Sequence, residues 1–103
     1  MNDKLLGMVG LAVRARKAAC GVFLTEKGLD DGSVKLVVAA NDIGESNKRK
    51  IEYKCGSQNV RLIYYSTREQ LSHSMGKKDA PVIGICDDNM AEAVVKIYGG
   101  VEQ

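Results

Sequence analysis

The chain has 103 residues, 45% of them hydrophobic and 27% charged, with a formal net charge of +2 at pH 7. That length carries one core and excludes a two-domain enzyme with an interdomain cleft, while the mild charge excludes overall basicity as a sign of nucleic acid. Three cysteines at wide spacing, Cys20, Cys55 and Cys86, build neither a disulfide framework nor a zinc site; Cys20 and Cys86, beside apolar neighbours, read as small core hydrophobes in a reducing compartment.

The opening MNDKLLGMVGLAVRARK has a modest apolar centre interrupted by Gly7 and Gly10. It makes a poor signal peptide and is too short to span a bilayer, so a cytoplasmic protein without a membrane partner is expected. Asn2 or Asp3 can cap a first helix with Leu5, Met8, Val9 and Ala12 on one face, closing in the cations Arg14, Arg16 and Lys17. Ala18, Ala19 and Cys20 form a short ambiguous stretch before Gly21. Residues 22–31 read two ways: β propensity puts a strand through Val22, Phe23 and Leu24 with Thr25 as a cap, whereas a helix from Gly21 would run on to Gly32.

Leu36, Val37, Val38, Ala39 and Ala40 form an unbroken apolar run, the pattern of a strand buried on both faces. Asn41, Asp42, Ile43 and Gly44 break it, and Ser46 can cap a helix that carries Lys48, Arg49 and Lys50 and stops near Gly56. A strand over 60–65 and a helix from Arg68 to about Met75 follow, the helix announced by the capping box Thr67 to Gln70 and stopped by Gly76. Residues 80–86 are a second buried strand, begun by Pro81. Asn89 and Glu92 have capping-box spacing for a last helix ending before Gly99, with a frayed tail over 99–103. Strands alternating with helices across short connections predict an α/β fold: one domain over 1–103, an α/β/α sandwich on a central mixed sheet of about four strands.

Charge is uneven along the chain. From Asp79 onward Asp87, Asp88, Glu92 and Glu102 face only Lys96, whereas Arg14, Arg16, Lys17, Lys27, Lys48, Arg49, Lys50, Lys77 and Lys78 all come earlier. If these cations converge, one face is the footprint of a polyanion binder; if they do not, they are ordinary solvated charges. Asn41 and Asp42 can offer an amide and a carboxylate to base edges, and Ile43 can lie flat on a base or pack inward. Lys77 and Lys78 sit in a glycine-to-proline loop ahead of a buried strand, where a scaffold presents contacts. A catalytic reading rests on Cys86, Asp87 and Asp88 at a strand end, but Asp88 or Asn89 is already a helix cap and His73 has no obvious partner. The phosphate-loop, dinucleotide, zinc-protease and nucleophile-elbow motifs are all missing, so neither an enzyme nor a metal or cofactor is expected.

Taken together, RARK, Gly21 to Lys27 closed by Gly32, KLVVAAND, NKRKI, RLIYYSTREQL, MGK and PVIGI resemble the kink-turn RNA-binding ribosomal protein family of the L-seven-Ae type, in particular its bacterial YlxQ-like branch. The resemblance implies an α/β/α sandwich that binds bent, internally looped RNA without catalysis, as a monomer with a ribosomal or regulatory RNA as partner and no small-molecule substrate. It also implies a helix from Gly21. Carried over by position, Gly21 brings backbone close to RNA, Lys27 holds a phosphate or base edge, Asn41, Asp42 and Ile43 line the centre, and residues 76–81 with Lys77 and Lys78 cover a flipped-out nucleotide. Lys48 adds charge beside them. One departure stands out: Phe23 and Leu24 occupy positions where the family places polar Asn and Glu. These two side chains stack or pack but accept no hydrogen bond from a guanine edge, a loss of about 1–3 kcal/mol per bidentate contact. The rival expectation is a protein-interaction module on the same fold, with Phe23 and Leu24 as its apolar patch.

Overall fold

The apolar run at 36–40 is continuous because helices cover its strand on both sides. The computed structural model describes residues 3–102. Met1, Asn2 and Gln103 lie outside the described residues, and with them the expectation that Asn2 caps the first helix and the end of the expected tail. The elements in order are α1 (Lys4–Arg14), β1 (Ala18–Cys20), α2 (Val22–Asp31), β2 (Leu36–Ala39), α3 (Glu45–Gln58), β3 (Arg61–Tyr64), α4 (Arg68–Met75), β4 (Val82–Ile85) and α5 (Asp88–Glu102).

The four strands form one mixed sheet in the order β1-β4-β2-β3. β4 runs antiparallel to both of its neighbours, and β2 pairs with β3 in parallel. Successive residues of β2 point to opposite faces, so two clusters divide the core. Leu36 and Val38 join Leu5, Val9 and Ala12 of α1, Leu71 and Met75 of α4, and Ala91 and Val94 of α5. Val37 and Ala39 join Leu29 of α2, Ile51 and Cys55 of α3, and Val34 of the connection before β2. The result is the α/β/α sandwich on a four-stranded mixed sheet that the pattern of elements predicts.

Residues 22–31 are helical. β propensity loses there because the Thr25 hydroxyl donates to the carbonyl of Ala19, 3.0 Å away, and Leu29 packs into the core. Gly21 makes the turn from β1 into α2 at φ 90°, ψ 170°, a conformation residues with a Cβ rarely adopt. Asp3 caps α1 by accepting from the Leu6 N–H at 3.0 Å, and Thr67 caps α4 by accepting from the Gln70 N–H at 3.1 Å, as its capping box predicts.

Four helix boundaries depart from the sequence reading. Gly44, not Ser46, is the N-cap of α3, which begins at Glu45, a carboxylate suited to the positive end of the helix dipole. The same helix passes Gly56 and ends at Asn59 in the left-handed conformation; packing of Ile51 and Cys55 outweighs the roughly 1 kcal/mol that a helical glycine costs. In α5 the cap is Asp87, whose Oδ2 accepts from the Met90 N–H at 2.9 Å, in place of Asn89. That helix also continues through Gly99 and Gly100 to Glu102, where the sequence predicts fraying: glycine weakens a helix but leaves its N–H ladder intact.

Candidate functional site

Strand register gathers several separate loops at one end of the sheet. Cys20 pairs with Ile83, Ala39 with Val82, and Ala39 with Tyr64. The C-terminal ends of β1, β2 and β3 therefore lie beside the N-terminal end of β4. Gly21, Asn41, Asp42, residues 65–68 and residues 76–81 emerge there together, and backbone hydrogen bonds tie them. Gly21 N–H donates to the Val82 carbonyl at 2.9 Å, Ala40 N–H to Pro81 at 2.8 Å, and Asn41 N–H to Ser66 at 2.8 Å.

Side chains complete the frame. Asp42 Oδ1 accepts from the Arg68 N–H at 2.7 Å, so one of its oxygens serves the start of α4 alongside Thr67. The Arg68 guanidinium donates to both oxygens of Asp79, with Nη2 3.0 Å from each. Ser72, buried beneath the 76–80 loop, accepts from the Ala80 N–H at 2.7 Å and donates to the Ala80 carbonyl at 3.1 Å. Thus the loop carrying Lys77 and Lys78 is pinned at both sides of its exposed tip. Both lysines are exposed, and neither makes an ion pair among the described residues. Burial raises the Cys20 thiol, and the charge of Lys77 offsets part of that rise.

The expected site residues separate into groups. Gly21, Asn41, Asp42, Lys77 and Lys78 meet at the sheet end. The cation of Lys48, one turn into α3, lies 5.7 Å from the centroid of the Tyr64 ring, whose hydroxyl donates to Glu52 at 2.6 Å. Burial and that carboxylate both push the Tyr64 hydroxyl pKa upward. Phe23 is 75% exposed and Leu24 48%; Phe23 and Lys27 line a shallow groove of about 290 Å³ between α2 and α3 together with Glu26, Asp30 and Lys54. Ile43 takes the inward one of its two expected courses. It is only 8% exposed and packs among Leu29, Val37 and Ile51, so it supports the loop from below.

Sequence reading passed over Arg68, Asp79 and Ser72, whose partners lie eight to eleven positions away across a turn. The one local signal was Arg68 following the Thr67 cap. It also left open where Arg14, Arg16 and Lys17 go. The Lys17 carbonyl accepts from the Cys86 N–H at 2.8 Å and Ala18 pairs with Ile85, which puts those cations at the opposite end of the sheet from Gly21. Of the catalytic candidates, Asp87 is engaged as a cap and His73 is exposed on α4. Burial raises the thiols of Cys20, Cys55 and Cys86, Cys55 to about 11. No group of three or more His, Cys, Asp or Glu that could hold a metal occurs among the described residues.

Residues 3–95 match the family model described as the ribosomal protein L7Ae/L30e/S12e/Gadd45 family. The chain belongs to this family. Among relatives of the L7Ae/L30e/S12e/Gadd45 group, the RNA-binding protein YlxQ of Enterococcus faecium is 29% identical over 96% of this chain and 95% of its own length. That of Bacillus subtilis (strain 168) is 29% identical over 87% and 90%. A solved protein of unknown function from Bacillus halodurans superposes with a TM-score of 0.89 at 31% identity, covering 95% of this chain and 99% of the other. The Giardia lamblia 15.5kD RNA binding protein superposes at 0.75 with 20% identity over 99% and 91%, a likeness of fold.

Proposed function

We propose that this member of the L7Ae/L30e/S12e/Gadd45 family is a non-catalytic RNA-binding protein that engages structured, sharply bent RNA, ribosomal or regulatory, as a cytoplasmic monomer. The observation that carries the reading is the assembly of Gly21, Asn41 and the Lys77–Lys78 loop at one end of the sheet, in a chain whose curated relatives are named RNA-binding proteins. Lys77 and Lys78 supply phosphate contacts without an ion pair to break, and Lys27 and Lys48 add charge on the flanking helices. Pinned loops keep the entropy cost of binding low. The Asn41 side chain, exposed and without a hydrogen bond among the described residues, is free to meet a base edge. The capping role of Asp87 and the raised thiols remove the main support for catalysis.

With Phe23 and Leu24 in positions the family fills with polar groups, recognition shifts from guanine edges toward backbone shape and phosphates. A salt titration of the protein against a kink-turn RNA and a fully paired duplex of equal length tests this. Tighter binding to the bent RNA that persists near physiological salt is the expected result. Equal binding to both, erased by salt, would overturn it, because nonspecific charge alone behaves that way.

The second reading, a protein-interaction module, draws on the exposure of Phe23 and Leu24. Changing Phe23→Asn together with Leu24→Glu separates the two. A gain in kink-turn affinity supports an RNA site altered at these positions; loss of a protein partner with no RNA binding before or after supports the module.

A further inference from the structure

Phe23 is the most exposed apolar side chain of α2, 75% accessible in the first turn of a helix anchored by Thr25 and Leu29. An aromatic ring held so open on a rigid element costs hydrophobic free energy that a protein recovers only by covering it. Its surroundings limit what can cover it. Beyond Leu24, the groove beside the ring is lined by Glu26, Lys27, Asp30 and Lys54. A protein interface needs about 800 Å² on each side around an apolar centre, whereas this site offers one ring framed by charge. That is the format of a platform for a single planar, polar-edged ring.

The rest of the groove fits a nucleotide. Lys27 follows Phe23 by four residues and so shares its helix face, with about 5–6 Å between the Cβ atoms. Lys54 is held by Asp30 at 2.7 Å, whereas Lys27 has no ion pair among the described residues and is free to meet a phosphate. Lys54 takes both oxygens of Asp30, at 2.7 and 2.8 Å, which leaves the Glu26 carboxylate to accept from an exocyclic amino group. Space around Gly21 is open, with nothing within 4 Å of where a Cβ would stand, so a backbone can pass from the sheet end onto α2.

We propose that Phe23 stacks on one unpaired nucleobase of the bound RNA, with Lys27 on the adjoining phosphate, and that this stack stands in for the polar base reading the position has lost. It rests on the RNA-binding reading and adds to it a specificity-determining residue. The contact favours an RNA with a base free to leave the helix and tolerates any base identity, because every base has a π face.

A double-mutant cycle with a kink-turn RNA, in which each unpaired nucleotide is made abasic in turn, tests it. At one position the abasic change should weaken wild-type binding about tenfold, Phe23→Ala should weaken binding of the intact RNA about as much, and the two together should add little. Phe23→Trp should hold affinity and Phe23→Leu should lose it as alanine does. The stack is overturned if the two losses multiply at every position, if Phe23→Ala binds as well as wild type, or if Phe23→Leu retains full affinity. Because Phe23 is exposed, these variants should keep the wild-type circular dichroism. Lys77→Ala with Lys78→Ala, measured in parallel, tells the two readings apart. Loss there with indifference at Phe23 removes the stack alone, and a wild type without preference for the bent RNA removes both.

Discussion

Individual side chains hold the sandwich together at contacts with no slack. Val34 is the clearest case: a Cβ on Gly84 would stand 2.7 Å from its Cγ2, and one on Gly28 only 2.4 Å from the same atom. β4 and α2 can therefore close on Val34 only as glycines. Gly84→Ala should cost about 1–3 kcal/mol through overpacking. With Val34→Ala in the same chain, the new methyl enters the space Val34 leaves, so urea unfolding should give a combined loss smaller than the sum of the two. Cys55 gives a pH signature at the same scale. Burial raises its thiol from 9.0 to about 11, so the folded chain holds that proton more tightly than the unfolded one. Its contribution is intact below about pH 9 and disappears as the pH climbs toward 11. Chemical denaturation across that window should show stability falling with pH, and Cys55→Ala should flatten part of the fall.

Elements carry the site by their ends, so a substitution beneath an end acts on function without touching a ligand. Ser72 is buried on α4 and satisfies both backbone groups of Ala80. Ser72→Ala leaves an N–H and a carbonyl unpaired in the interior, a cost of about 1–3 kcal/mol for an unsatisfied buried group. It should also free the 76–80 loop, read as faster amide hydrogen exchange there and weaker RNA binding. How far the sequence discloses such elements depends on how local the deciding interaction is. Thr67 and Gln70 contact each other three positions apart, and the α4 cap was legible. At α5 Asp87, Asp88 and Asn89 stand in a row as rival acceptors, and only packing decides for Asp87. α2 needed more than propensity, because Val22, Phe23 and Leu24 read as a strand until Thr25 is seen turned toward Ala19. The unbroken apolar run that identifies β2 has no counterpart in the loop after it, so whether Ile43 faces in or out comes from the fold.

Across the whole molecule the cations divide between two ends of the sheet, and the proposed RNA surface uses only one. Binding to a bent RNA should therefore lose about two units of log–log salt slope when Lys77→Ala and Lys78→Ala are combined. The same pair of changes at Arg16 and Lys17, at the far end, should leave the slope unaltered; equal loss from both pairs would mean that the field of the whole chain governs binding. The order of strands also governs how the protein is made. β4, the last of the described strands, lies between β1 and β2, and the N–H groups of Gly21 and Ala40 donate to carbonyls at its start, Val82 and Pro81. During synthesis β1 waits without a partner until residues 82–85 have emerged, and non-local pairing of this kind slows folding. A nascent chain therefore has no partial version of this surface: it is complete only once the final strand has slid into the middle of the sheet.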